Sequence, residues 1–318
     1  MEERDLQHLI DRCGKDYVSK RLQIQVKHSA NVLGPGLGGI HFENLDWAFD
    51  AIGWLVKLFR AWDRGFSNIK AHKVVINRVE LPGFPNAFNG FKILHLSDLH
   101  LDVFEGMGSH VGRLCSALNC DVALLTGDFR FETHGNYYPV FKEIKALTRD
   151  LSCKYGCYGI LGNHDFLEFV PKLEAHGVRM LLNESTVLEK DGVQLHIVGL
   201  DDAHFYGTHN YDRGFGDVPH DATKILMIHS PETLDEAHKY GADFVLCGHT
   251  HGGQLCLPGG IPLWLNTNSP RKYCRGNWIH RGMQGYTSSG TGSSGLPIRF
   301  NCPPEIVVHF LVSTKPTG

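Results

Sequence analysis

Phe91-Lys-Ile-Leu-His-Leu-Ser-Asp-Leu-His100 is the stretch on which the reading of the fold turns. Its first six residues mix apolar, aromatic and β-branched side chains in a short run, which suits a buried strand. Asp98 and His100 follow where that strand should stop, and on an extended segment side chains two apart point the same way. A carboxylate and an imidazole on one face, at a strand's carboxyl end, are half of a site for a divalent transition metal. Alone, the stretch also has a plainer reading in which Asp98 caps a helix and His100 is a surface histidine.

Working outward, four more apolar runs end in the same manner. Asp121-Val-Ala-Leu-Leu-Thr-Gly-Asp128 closes on Asp128. Tyr155 to Leu161 leads into Gly162-Asn163-His164-Asp165. Lys224 to Ile228 leads into His229, and Phe244 to Cys247 into Gly248-His249-Thr250-His251. Between them Val140 to Asp150 reads as helix, and Thr186 to Gly199 as a hairpin turned at Asp191-Gly192. Upstream, Val74 to Leu81 reads as a strand that Pro82-Gly83-Phe84-Pro85 turns toward the central stretch. In open α/β sheets ligands bind beyond the carboxyl ends of strands. Asp98, His100, Asp128, Asn163, His229, His249 and His251 are therefore expected to form one site.

The series D-x-H, G-D, G-N-H-D, a lone His and G-H-T-H, spread over about Lys92 to Phe310, resembles the calcineurin-like metallophosphoesterase superfamily. Gly248-His-Thr-His-Gly-Gly-Gln254, with Ser289-Gly-Thr-Gly-Ser-Ser-Gly-Leu-Pro-Ile-Arg299 and Pro303-Pro-Glu305, is similar to its YkuE/YaeI-like branch, which includes LpxG-type UDP-2,3-diacylglucosamine hydrolases. The resemblance implies an α/β sandwich of two mixed β-sheets flanked by helices. It also implies two divalent metals. Asp98, His100 and His251 would hold one, Asn163, His229 and His249 the other, and Asp128 would bridge. Mixed nitrogen and oxygen ligands suit manganese, iron or zinc better than calcium. His164 resembles the family histidine that protonates the leaving oxygen or holds the phosphate, and Asp165 is expected to orient its ring. His95, inside the first strand, reads as a satisfied core histidine.

The chain has 318 residues, net charge -3, nine cysteines and twenty histidines. That charge gives no electrostatic reason for bulk nucleic-acid binding. The odd cysteine count without a C-x-x-C pair reads as buried or free thiols in a reducing compartment. Met1-Glu-Glu-Arg-Asp5 is acidic where a signal peptide is basic, and no stretch reaches the about 18 uninterrupted apolar residues of a membrane span. The expected place is the cytoplasm, with peripheral contact at the inner membrane surface.

The chain divides into an appendage, 1–73, and the metallophosphoesterase unit, 74–318. In the appendage Lys15, Lys20, Arg21 and Lys27 make a basic segment, and Leu33 to Gly39 a glycine-rich linker. Glu43 to Trp62 then reads as a broad amphipathic helix, with Leu45, Phe49, Ile52, Val56 and Phe59 on one face and Trp47, Trp54 and Leu58 widening it. It either docks on the main unit or lies in a membrane interface. Arg271, Lys272, Arg275 and Arg281 form either a solvated basic loop or a phosphate-binding rim; His204, Tyr206, Tyr211 and Arg213 are a second candidate rim.

The expected function is hydrolysis of a phosphodiester or pyrophosphate bond in an amphiphilic substrate such as UDP-2,3-diacylglucosamine. A soluble phosphodiesterase for small nucleotides or organophosphate diesters is the alternative. A metal-free binding scaffold should lack several ligand positions, and here all seven are filled.

Overall fold

The computed structural model describes residues 1–33, 52–54, 56–133 and 135–314. The expected linker 34–39 and half of the expected helix 43–62 lie outside them; in the described half the helix does not run to Trp62, because the chain turns at Phe59 and Arg60, where φ is 54°, and a new helix starts at Trp62. Among the described residues, helices α1 (Glu3–Cys13), α2 (Lys15–Leu33) and α3 (Trp62–Asn68) precede the strands. The strands are β1 (Lys73–Pro82), β2 (Phe91–Leu96), β3 (Val122–Leu125), β4 (Cys157–Gly159), β5 (Arg179–Met180), β6 (Glu184–Lys190), β7 (Val193–Gly199), β8 (Lys224–Met227), β9 (Phe244–Cys247), β10 (Cys256–Leu257), β11 (Ile261–Pro262), β12 (Gly276–His280), β13 (Met283–Thr287) and β14 (Glu305–Thr314).

One six-stranded sheet has the order β1-β14-β2-β3-β4-β5 and the other β12-β13-β9-β8-β7-β6. Both are mixed: β14 runs antiparallel to β2, whereas β2, β3, β4 and β5 are parallel. In the second sheet β7, β8, β9 and β13 are parallel, with β6 and β12 antiparallel at the two edges. Asp191 and Gly192 both adopt positive φ, 54° and 76°, which matches the right-handed twist of the β6–β7 hairpin they turn.

Strand alternation builds the layers. Ile93 of β2, Val122 and Leu124 of β3, Ile225 and Met227 of β8, and Phe244 and Leu246 of β9 meet in the core between the sheets. Their neighbours face outward. Leu94, Leu96, Ala123 and Leu125 pack under the helices of the first sheet, with Val111, Ile144 and Leu173. Leu226, Ile228, Val245 and Cys247 pack under helices Tyr211–Phe215 and Leu234–Lys239. A strand buried on both faces reads as a continuous apolar run, as these do. Leu9, Cys13 and Val18 of α1 and α2 join the first sheet's outer core, so the segment 1–73 contributes side chains to the core of the segment that follows.

His95 is fully buried between the sheets, 2.9 Å from Thr126 Oγ1 and 3.2 Å from His309 Nε2. Burial lowers its pKa to about 3, so it is a neutral, hydrogen-bonded core histidine.

Candidate metal centre

The parallel strands of both sheets stop at the same end of the sandwich, and the turns beyond β2, β3, β4, β8 and β9 bring the seven expected side chains together. The route at β2 differs from the expected one. Asp98 and His100 are not on an extended segment: their φ values are 49° and 41°. Two left-handed residues coil the chain after Leu96, and the Asp98 and His100 amides donate to the Gly127 and Asp128 carbonyls, 3.0 and 2.9 Å away. Asp128, His249 and His251 are left-handed too, with φ of 57°, 70° and 49°.

Three rings are oriented by backbone carbonyls. Nδ1 of His100 donates to the Arg130 carbonyl at 2.6 Å, Nδ1 of His229 to Thr126 at 2.6 Å, and Nδ1 of His164 to Phe131 at 2.8 Å. A hydrogen on Nδ1 leaves Nε2 as the nitrogen that can ligate, the usual device at metal-binding histidines. Nε2 of His100 lies 3.8 Å and Nε2 of His229 3.3 Å from Asp128 Oδ2. Asn163 Oδ1 is 3.0 Å from His229 Nε2 and 2.9 Å from His249 Nδ1. His251 Nε2 is 3.1 Å from His100 Nε2 and 3.4 Å from Asp98 Oδ1.

The donor set fits cations. Burial lowers the pKa of His100 to about 3 and those of His249 and His251 well below the ordinary value, so these rings are neutral and offer lone pairs. Burial, with Asp128 nearby, raises Asp98 to about 6. Against its own burial, His229 is raised to about 10 by the Asp128 carboxylate, marking a point where positive charge is stabilised. His249 Nε2 is buried with no hydrogen-bond partner. Asp98, His100 and His251 can converge on one ion, as can Asp98, Asp128 and His229. His251 breaks the tautomer pattern. Its Nδ1 faces Arg299 Nη2 at 3.0 Å instead of a backbone carbonyl.

Two glycines leave no room for a side chain. A Cβ on Gly248 would lie 1.8 Å from Ser97 Oγ and 2.3 Å from Asp98 Oδ2, and one on Gly162 2.2 Å from Asp128 Oδ1.

A calcineurin-like phosphoesterase family model matches residues 91–253, half of the chain. The chain belongs to the calcineurin-like phosphoesterase family. It is a metal-dependent phosphoester hydrolase by that membership. Relatives include the metallophosphoesterase YkoQ of Bacillus subtilis, 28% identical over 261 residues, covering 79% of this chain and 93% of YkoQ. The phosphodiesterase YaeI of Escherichia coli is 28% identical over 232 residues, 70% and 82% of the two chains. UDP-2,3-diacylglucosamine pyrophosphatase LpxG of Chlamydia trachomatis is 25% identical over 286 residues, 69% and 82%.

Asp165 does something other than expected in this calcineurin-like site. Its Oδ2 accepts from the Asp128 and Gly162 amides at 2.8 and 2.9 Å, and its Oδ1 from the Phe129 amide at 2.8 Å. It ties the Gly-Asp turn to the Gly-Asn-His-Asp turn, whereas the Phe131 carbonyl and Ser294 Oγ, 3.4 Å from Nε2, attend the His164 ring.

Behind that turn lies α2, outside the family match. Arg21 is wholly buried; its Nη2 donates to the Asp165 carbonyl at 3.0 Å, its Nη1 pairs with Asp201 Oδ1 at 3.0 Å, and its guanidinium lies 3.6 Å over the Tyr206 ring. Gln25 Oε1 accepts from the Leu167 amide at 2.8 Å. Arg21 thus belongs to the interior and not to a basic surface. Tyr206 beneath it, Tyr211 with its hydroxyl 2.8 Å from Thr233 Oγ1, and Arg213 donating to the Arg12 and Cys13 carbonyls are structural as well. Of that second rim only His204 reaches the site, its ring 4.2 Å from that of His249 and its Nδ1 2.9 Å from Glu232.

The four basic residues separate. Arg275 is beside the metal turns: a Cβ on Gly252 would touch its Cδ at 2.9 Å. Arg271 and Lys272 are exposed on a turn fastened to the site by Thr250 Oγ1, which donates to the Cys274 carbonyl at 2.6 Å. Arg281 does not join them. It pairs with Asp235 at 3.0 Å at the tip of the β12–β13 hairpin, about five residues, or roughly 16 Å at 3.3 Å each, from the hairpin's site end.

Proposed function

We propose that this chain hydrolyses a phosphodiester or pyrophosphate bond at a dinuclear centre, with Asp98, His100 and His251 at one metal, Asn163, His229 and His249 at the other, and Asp128 between them. The observation that carries this is the placement of Asp128 Oδ2 between His100 Nε2 and His229 Nε2, one from each half of the site. When bound, two divalent cations would polarise phosphoryl oxygens and make water nucleophilic at neutral pH. The chain's own part is to hold neutral imidazoles and carboxylates in fixed orientation and to handle the leaving group. Elemental analysis of the reconstituted protein should find two of Mn, Fe or Zn per chain, and a chelator should abolish diesterase activity that these metals restore. One metal at full activity would overturn the bridging role.

His164 Nε2 faces Asp128 Oδ2 at 3.9 Å and Ser294 Oγ at 3.4 Å, at the rim of the centre, where it can hold a phosphate or give a proton to the departing oxygen. His164→Ala should keep its metals and lose about 10²–10⁴-fold in rate toward poor leaving groups. A p-nitrophenolate diester, which needs no proton, should lose far less. Equal losses would leave phosphate positioning as the role.

An amphiphilic, lipid-linked nucleotide is the preferred substrate, and peripheral contact with a membrane the preferred setting. Two features favour them: large apolar side chains exposed near the site, among them Trp54, Leu58 and Phe59, and the basic residues beside it. Among the described residues no helix is long and apolar enough to cross a membrane. Turnover of small diesters with none of UDP-2,3-diacylglucosamine would favour the small-substrate alternative.

A further inference from the structure

β10 and β11 form a ribbon outside both sheets, and its faces differ. Leu257 is opposite Ile261 and Cys256 opposite Pro262, while one pair further on the Leu263 amide donates to the Leu255 carbonyl at 3.1 Å. The two-residue period then places Leu255, Leu257, Ile261 and Leu263 on one face, and Cys256 and Pro262 on the other. The second face is turned onto the metal-site turn. Cys256 Sγ is 3.4 Å from the Gly252 carbonyl, and a Cβ on Gly253 would come 2.3 Å from Pro262 Cβ. The first face meets solvent, with Leu257, Ile261 and Leu263 exposed by 49%, 54% and 59%. Single exposed apolar residues are ordinary, but a shared face of them marks an interaction surface.

A second apolar element flanks the same mouth. Residues 52–54 and 56–58 are helical, and a Cβ on Gly53 would lie 3.5 Å from Leu296 Cδ2. Trp54, Leu58 and Phe59 on this element are exposed by 63%, 59% and 77%. Between the two elements runs the loop that brings Ser294 to His164, held by Gln254 Nε2, which donates to the Ser294 and Leu296 carbonyls at 2.9 Å each.

Charge decides what covers this surface. In a chain of net charge -3, residues 244–304 hold no Asp or Glu; of their five Lys/Arg, Arg299 is buried and Arg281 pairs with Asp235, which leaves Arg271, Lys272 and Arg275, while residues 52–63 add Lys57 and Arg60 against Asp63. Arg275 reaches the ribbon, its Nη1 3.4 Å from a Cβ placed on Gly260, and Arg271 and Lys272 are exposed nearby in sequence. Apolar side chains flanked by more exposed cations than acids are complementary to a bilayer rich in anionic headgroups.

We propose that the β10–β11 ribbon and the exposed side chains of Trp54, Leu58 and Phe59 are a docking surface for an anionic lipid bilayer, which sets the metal centre's mouth against the headgroup layer. The purpose of this docking rests on the hydrolase reading above; the docking itself does not. The test is sedimentation of the full chain with phosphatidylglycerol-containing vesicles and with pure phosphatidylcholine vesicles. The wild type should bind the first, bind the second weakly, and release with salt. Leu257→Ser/Ile261→Ser/Leu263→Ser should lower binding by about tenfold or more, and Arg271→Gln/Lys272→Gln should erase the preference for anionic vesicles. Both variants should keep the melting temperature, and the triple variant the rate on a small soluble diester. Failure of the wild type to bind, equal binding by the triple variant, or a dimer in solution that the triple variant dissolves would each overturn the proposal, the last by making a second copy the occupant. Vesicle binding by a protein that hydrolyses nothing would sink the hydrolase reading alone.

Discussion

The Asp128→Asn protein should fold, melt without metal below the wild-type temperature at neutral pH because His229 loses its anion, and hydrolyse diesters about a thousandfold more slowly or worse, a loss of about 4 kcal/mol in the transition state. The reasoning separates the two jobs of this side chain. As a structural acceptor, Asp128 Oδ1 takes the His164 amide at 2.9 Å, and an asparagine carbonyl oxygen can do the same. As an anion, Oδ2 faces both His100 and His229, and there an amide brings no charge to neutralise two cations. Added manganese or zinc should therefore raise the melting temperature of the wild type, by the linkage between binding and folding, and raise that of the variant far less. An equal metal-induced shift in both proteins would show that Asp128 does not bridge.

Arg21→Met should destabilise the protein by about 3–5 kcal/mol, because it strips the charge partner from a wholly buried carboxylate. Asp201 would keep the hydroxyls of Tyr17 and Thr208 but no cation. The Asp165 carbonyl would lose its guanidinium donor as well. Adding Asp201→Asn should recover much of the loss, since it removes the stranded charge, and urea unfolding of the four proteins of the cycle measures the coupling. A single variant within about 1 kcal/mol of wild type would show that the pair is not what holds α2 against the site.

Most of the site was legible because it is built from short buried strands whose apolar runs stand out, each followed by a ligand-type residue. β2, β3, β4, β8 and β9 all fall on the runs read from the sequence, and β1 lies within a residue of its expected bounds. What sequence could not show is where polar side chains are buried. Arg21 read as part of a basic segment and Gln25 drew no reading, yet both face the interior, where their partners, Asp201 and the Leu167 amide, are more than a hundred residues away in sequence. Arg299 was visible only as the end of a branch-like stretch, with no sign of its burial. It is wholly buried and donates to the Gly292 and Ser289 carbonyls at 2.8 Å while facing His251. Asp165 was visible as a site residue, but its acceptors' role depends on three amides brought together by two separate turns. Arg281 was grouped with Arg271 and Arg275 by proximity along the chain, and a hairpin carries it the length of a strand away.

The left-handed backbone at Asp98, His100, Asp128, His249 and His251 limits which residues could ever replace them. Asp, Asn and His are enriched several-fold in that region of φ/ψ space, and they are also hard and borderline metal donors. On the proposed ligand assignment the two vocabularies overlap, so each position would be chosen once for its donor atom and again for its tolerance of the turn. Cysteine or glutamate would supply a competent donor at His100 or Asp98, but not that backbone tolerance, at a strain of about 1–3 kcal/mol per position. Glycine would tolerate the turn and supply no donor. A redesign of this centre for a softer metal by exchanging ligands in place therefore meets its resistance in the main chain before it meets it in coordination chemistry, and would need the turns after β2, β3 and β9 rebuilt along with the side chains.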